Sequence, residues 1–151
     1  LSLGIWQYRS ASQGPPGAAQ VQSVAVMTFR TPPDDPRALM LGQAFPEELS
    51  TALTKTGLLV ASQSSVLELG PSAKTRDVAA QLGVDAVLEG SVRSYGSKFK
   101  IHVGLVSART GFQLWSETFT IEGEDMLAGG EKAATDIASQ LRQALATSRT
   151  R

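Results

Sequence analysis

The sequence predicts a three-layer α/β/α domain on a mixed five-stranded sheet of order 2-1-3-4-5, with strand 4 antiparallel. Two stretches carry that prediction. Val84–Phe119 holds three runs that alternate apolar and polar residues, separated by turn signals at Tyr95-Gly96-Ser97 and Ala108-Arg109-Thr110-Gly111. This is the pattern of an antiparallel meander. Upstream, the near-continuous apolar run Ser23–Phe29 suits a strand covered on both faces, and an amphipathic stretch and a second short apolar run follow it. That order is a β-α-β unit, which requires parallel pairing and a right-handed crossover.

Taken in order, Val21–Arg30 is the first strand, ended by Thr31-Pro32-Pro33-Asp34-Asp35-Pro36, because proline cannot continue a ladder. Asp34 or Asp35 can cap the next helix, with Pro36 in its first turn. Ala38–Thr56 reads as that helix, with Leu41, Phe45, Leu49 and Leu53 recurring on one stripe and Gly57 as its stop. Pro46 removes one helical hydrogen bond and is expected to bend it. Leu58–Ser62 is a short strand, Ser64–Leu69 one helical turn, and Thr75–Leu82 a helix with Val78, Ala79 and Leu82 inward, closed by Gly83.

In the meander, a two-residue turn at Gly96-Ser97 places Val92 opposite Ile101, Gly90 opposite Val103 and Leu88 opposite Leu105. A second two-residue turn, at Arg109-Thr110, places Leu105 opposite Leu114 and Val103 opposite Ser116. One face then carries Leu88, Val92, Phe99, Ile101, Val103, Leu105 and Leu114. The other carries Val87, Glu89, Ser91, Arg93, Lys100, His102, Val106, Trp115, Glu117 and Phe119. The last helix spans Glu124–Ala146, with Ile137, Leu141 and Leu145 on its inner stripe and a break or late start expected at Gly129-Gly130. Residues 21–147 form a single domain in this reading, and residues 148–151 fray.

Ahead of the domain, Leu1–Ile5 is apolar and is followed by Trp6, Tyr8 and Arg9, the order seen where a chain leaves a membrane. The apolar part is far shorter than the ~20 residues of a span. Residues 1–20 are therefore read as a membrane-proximal tail and linker, with an anchor at or before the start of the sequence, or else as a sticky flexible tail.

Composition narrows the chemistry. Lys+Arg and Asp+Glu both number 14 in 151 residues, so no basic field invites nucleic acid. There is no cysteine and only one histidine, which excludes disulfides, thiolate metal sites and His-rich clusters. No phosphate-binding glycine loop sits between a strand and a helix, so no nucleotide or other cofactor is expected.

Several blocks, taken together, look like a known module. Ser23-Val-Ala-Val-Met-Thr-Phe29, Glu47-Glu48-Leu49, Ala80-Gln81-Leu82-Gly83-Val84, Leu88-Glu-Gly-Ser-Val-Arg93 and Thr110-Gly111 with Leu114-Trp115-Ser116-Glu117 occur in order. They resemble the TolB amino-terminal-domain-like module found after the membrane segment of ToxR/CadC-like winged-helix regulators. The same module occurs in bacterial adenylate cyclases and kinases with tetratricopeptide repeats, and its wider relatives include FlgO-like and curli-secretion lipoproteins. The resemblance covers about Gln22–Ala146, and Pro46 replaces the small hydroxyl residue usual before the Glu-Glu pair. It implies an anticodon-binding-domain-like sheet, brings no catalytic residues, and suggests a periplasmic, membrane-anchored setting.

Candidate site residues follow from the face assignment. Adjacent Glu47 and Glu48 diverge by about 100° on a helix and are not a catalytic pair. Ser91, His102 and Glu117 form a row that resembles a hydrolase triad, but a flat strand face offers neither oxyanion donors nor a nucleophile elbow. One histidine and one carboxylate make a poor metal site. Trp115, opposite Gly104, is either packed under a helix or an anchor for a partner. Glu89, Arg93, His102, Trp115 and Glu117 make up the candidate interaction face, with no catalytic, cofactor or metal residues assigned. The expected function is a non-catalytic sensory or protein-interaction module that binds a protein partner or its own oligomer. The alternative is an assembly component of an envelope or flagellar complex.

Overall fold

The computed structural model describes residues 21–70, 72–123 and 126–150. The expected tail and linker over residues 1–20, and Arg151, lie outside them. Chain order is β1 (Ser23–Val26), α1 (Pro36–Lys55), β2 (Leu59–Val60), α2 (Gln63–Glu68), α3 (Thr75–Leu82), β3 (Ala86–Tyr95), β4 (Lys98–Ser107), β5 (Gln113–Glu122) and α4 (Met126–Thr150). The five strands form one sheet in the order β2-β1-β3-β4-β5, as the sequence predicts. β1 pairs in parallel with β2 and β3, and β3, β4 and β5 form the antiparallel meander.

The regular part of β1 is shorter than the apolar run. Beyond Val26 the chain still follows β3: Met27 N–H donates to Leu88 O and Arg30 N–H to Gly90 O, both at 2.9 Å. α1 begins as expected, with Asp35 as its cap and Pro36 in its first turn; the carboxylate accepts Ala38 N–H at 3.0 Å. The helix runs continuously past Pro46. Proline has no N–H to give the Gly42 carbonyl one turn back, and Phe29 N–H takes that acceptor instead, at 3.4 Å. The helix breaker thus frees an oxygen that fastens α1 to the segment leaving β1.

Two apolar clusters lie on opposite faces of the sheet. The larger joins Val24, Val26, Leu88, Val92, Ile101, Val103 and Leu105 to α1 through Phe45, Leu49 and Leu53, and to α4 through Ile137, Leu141 and Leu145. The smaller joins Ala25 and Val87 to Val66 of α2 and Val78 and Ala79 of α3. This is the three-layer arrangement, but its outer layer is short. α2 and α3 roof β1 and the start of β3, while Lys100, His102, Ser116, Thr118 and Thr120 of β4 and β5 are exposed.

The first hairpin has the expected register: Leu88 faces Leu105, Gly90 faces Val103 and Val92 faces Ile101. The second departs from it. Ser107 N–H donates to Phe112 O at 2.9 Å and Val106 faces Gln113, as a turn centred on Arg109-Thr110 requires. The ladder then shifts between Val106 and Leu105, so that Leu105 faces Trp115 rather than Leu114, and Val103 faces Glu117 rather than Ser116. Leu114 is the extra residue of a β-bulge. Leu114 and Trp115 both pack against the larger cluster. Burying two adjacent side chains on one face of a strand requires such an irregularity, because a regular pleat sends neighbours to opposite faces.

α4 runs through Gly129-Gly130 without the expected break and continues past Ala146. A Cβ added to Gly129 would come within 2.5 Å of Ile121 Cγ2. The missing side chain at this point lets α4 lie close against β5.

Candidate functional site

The bulge divides the candidate interaction face. Glu89, Arg93 and His102 share the outer sheet face, as expected. Trp115 and Glu117 do not join them: they sit opposite Leu105 and Val103, on the side of the larger core. Trp115 is half-buried there, against the core, which matches the packing alternative considered for it, although its expected neighbour Gly104 faces Ser116. The Ser91–His102–Glu117 row does not exist. Ser91, His102 and Thr118 form the actual row, and His102 Nδ1 lies 3.3 Å from the Thr118 hydroxyl. Among the described residues, the side-chain partner of the His102 ring is a hydroxyl and not a carboxylate.

Each outer row crosses three strands. Glu89, Gly104 and Ser116 form one, and Arg93, Lys100 and Thr120 another. Glu89 is half-buried at the margin of the roof and accepts a hydrogen bond from the Thr75 hydroxyl at the start of α3. Its carboxylate therefore ties α3 to the sheet. Lys98 and Glu122 form an ion pair at 3.6 Å at the far end of the meander. Among the described residues, neither Arg93 nor Lys100 has an ion-pair partner.

Other polar side chains set the frame around this face, and sequence spacing does not reveal them. Asp35 caps α1 and also accepts Ser94 N–H at 2.8 Å and the Ser94 hydroxyl, joining the helix start to the end of β3. The Ser94 hydroxyl and amide, together with the Ala38 amide, hold the Asp35 carboxyl below its ordinary pKa, against a small opposing effect of burial. Arg37 donates to Gly96 O at 3.0 Å and lies 4.9 Å from the centre of the Phe99 ring, fixing the tip of the first hairpin. Asp85 accepts the Gln22 and Ser23 amides at 2.9 and 3.2 Å at the entry to β1. The only local signal for these roles was the cap pattern at Asp35.

On the opposite side of the molecule, a groove of about 690 Å³ runs between α1 and α4. Ala52, Ala134 and Ala138 line it, together with the charged residues Glu48, Lys55, Glu131 and Arg142. Among the described residues, no three His, Asp or Glu side chains converge as a metal site, and no helix is long and apolar enough to cross a membrane.

Comparison with known proteins agrees with this geometry. Several solved structures share the fold, three of them as follows. Lipoprotein GNA1162 from Neisseria meningitidis has a TM-score of 0.60 at 18% identity, with 80% of this chain and 98% of that one covered. TolB from Acinetobacter baumannii has a TM-score of 0.58 at 15% identity, covering 83% of this chain and 28% of that one. A PelC dodecamer from Paraburkholderia phytofirmans has a TM-score of 0.53 at 19% identity, covering 86% and 91%. In sequence, the chain is 33% identical over 134 residues to a putative adenylate cyclase 3 of Rhizobium meliloti (strain 1021). The match takes in 87% of this chain but spans only 23% of that relative. Residues 19–139 match the second domain of HilA/YgeH-like transcriptional regulators, and the chain belongs to that family.

Proposed function

We propose that this domain is a non-catalytic sensory and protein-interaction module of a membrane-anchored bacterial signalling or regulatory protein, placed outside the cytoplasmic membrane. The observation that carries the reading is the pairing of one fold with different outputs. The domain belongs to a transcriptional-regulator family, and it matches about a quarter of an adenylate cyclase relative. A part shared between such outputs is suited to supplying recognition rather than chemistry. The apolar-to-aromatic order of residues 1–9 supports a membrane-proximal tail ahead of a domain at residues 21–147. Arg93 and His102, on the open outer face, are the candidate contacts, with Glu89 at its margin.

Removing residues 21–147 in frame from the parent protein tests the role. The expected result is an output that persists but no longer responds to its stimulus; an unchanged response would end the reading. Location is tested separately. The chain has no cysteine, so in a parent protein with any cysteines elsewhere replaced, Thr118→Cys provides a single reporter on the exposed face. It should react with a membrane-impermeant maleimide in cells whose outer membrane has been permeabilised. Labelling only after full lysis would place the domain in the cytoplasm.

The second reading, an assembly component of an envelope complex, draws support from the fold shared with a PelC dodecamer and from the ten-residue edge strand β5. A stable ring in solution, measured by light scattering, would favour it.

A further inference from the structure

We propose that the open half of the outer sheet face docks an acidic protein segment, whose carboxylates are taken by Arg93, Lys100 and His102. This rests on reading the domain as an interaction module, and it names the chemistry of the partner.

Two like charges face each other on this surface without compensation. Arg93 and Lys100 are direct cross-strand partners. Like charges placed opposite each other destabilise a sheet, and neither residue has an ion-pair partner among the described residues. The neighbouring row differs, since Lys98 is matched there by Glu122 at 3.6 Å. His102, two residues along β4 from Lys100, adds an imidazole ring to the same face. The carboxylates on this face are already engaged: Glu122 with Lys98, and Glu89 with the Thr75 hydroxyl. Ser91, Thr118 and Thr120 complete the rows with hydroxyls. Glu89 keeps its charge, held by a hydroxyl at the margin of the roof; beyond it lies a polar, unroofed surface on which the two charges without an ion-pair partner, Arg93 and Lys100, have the same sign.

Protein carboxylates fit this surface better than a membrane or a nucleic acid. Anionic bilayers and phosphate backbones are held by the summed charge of many cations. This chain has zero formal net charge, and among the described residues only Arg93 and Lys100 on this face are cations without an ion-pair partner. A guanidinium fork beside an ammonium group is instead suited to short-range, directional pairing with one or two carboxylates. Tyr95, at the end of β3 and 68% exposed, adds an aromatic ring of the kind common in protein interfaces.

The test is a ¹⁵N–¹H titration of the chain with a synthetic peptide of alternating glutamate and serine. Shifts should concentrate at residues 91–93, 98–102 and 116–120. Arg93→Glu with Lys100→Glu should weaken binding at least about tenfold, while Lys132→Glu on α4 leaves it unchanged. Arg93→Gln with Lys100→Gln should also weaken binding, and it should keep or raise the melting temperature, separating lost recognition from lost folding. Absence of shifts, shifts centred elsewhere, or a response to phosphatidylglycerol vesicles but not to the peptide would each overturn the proposal. If the peptide fails while deletion of the domain still abolishes the response of the parent protein, the acidic-partner inference falls and the module reading stands. If that deletion leaves the response intact, the module reading itself fails.

Discussion

Replacing Gly90 with alanine probes the centre of the sheet. Gly90 is buried opposite Val103. A methyl group there would meet the His102 carbonyl oxygen at 2.5 Å, and Cε2 and Cζ of Phe29 at 2.7 and 2.9 Å. The carbonyl belongs to β4, which is paired on both sides, so it cannot withdraw without loosening a ladder. The ring is confined as well. Phe29 is 3% exposed and stands edge-on to Phe45, with centroids 5.5 Å apart and planes at 66°. Forcing an extra methyl into such packing costs about 1–3 kcal/mol, and two obstructed directions put this site at the upper end. The smaller entropy of alanine in the unfolded chain returns about 0.5–1 kcal/mol. The expected net loss is about 2 kcal/mol, or about 6 °C in Tm for a domain of this size. Urea unfolding followed by far-ultraviolet circular dichroism measures it. Phe29→Leu in the Gly90→Ala background should show a coupling of about 1 kcal/mol, because shrinking the ring relieves one of the two overlaps. A Gly90→Ala protein within about 0.5 kcal/mol of the parent would refute the close approach of Phe29 and β4 to this glycine.

Adjacent glycines on α4 should respond with opposite signs. Gly129→Ala meets Ile121 Cγ2 at 2.5 Å and should destabilise by about 1–2 kcal/mol, whereas Gly130→Ala has only Leu41 Cδ1 at 4.0 Å and should stabilise by about 0.5–1 kcal/mol; equal signs in urea unfolding would show that α4 does not sit this close to β5. The depressed pKa of Asp35 makes its contribution dependent on pH. Because the folded value lies below the unfolded one, near 4, that contribution is complete above the unfolded pKa and is lost as pH falls through the folded value. The stability gap between the parent and Asp35→Asn should therefore be widest at neutral pH and narrow below about pH 4, and a gap independent of pH would exclude the Ser94 linkage as its source. The bulge is tested by residues the expected register placed on one face: Trp115→Ala should cost about 2 kcal/mol through lost packing on the core, and His102→Ala should stay within about 0.5 kcal/mol. The reverse order would restore the unbulged register.

The elements of this fold were legible because each is written in local periodicity. The alternation through β3 and β4, the stripe Leu41, Phe45, Leu49 and Leu53 on α1, and Asp35 before Pro36 each depend on residues a few positions apart. The strand order followed from chain connectivity and the crossover rule once the third strand is set on the free side of the first, as the structure has it. The candidate site was legible only in part. Glu89, Arg93 and His102 were placed on the correct face, since the Gly96-Ser97 turn carries its register unbroken through ten paired residues. Trp115 and Glu117 were not, because the register beyond Val106 is decided by a bulge rather than by the turn.

What the sequence determined by itself was therefore the set of elements, a sheet order conditional on the third strand pairing with the first, and the first hairpin. What only the tertiary structure decided was the face that β5 presents, and which polar side chains join distant elements. The reason is physical. A turn propagates register only through a regular pleat, and at Leu114 the gain from burying two neighbouring side chains in one core outweighs the regular ladder. Likewise, the links from Asp35 to Ser94 and from Thr75 to Glu89 join residues that become neighbours only after helices and sheet have packed.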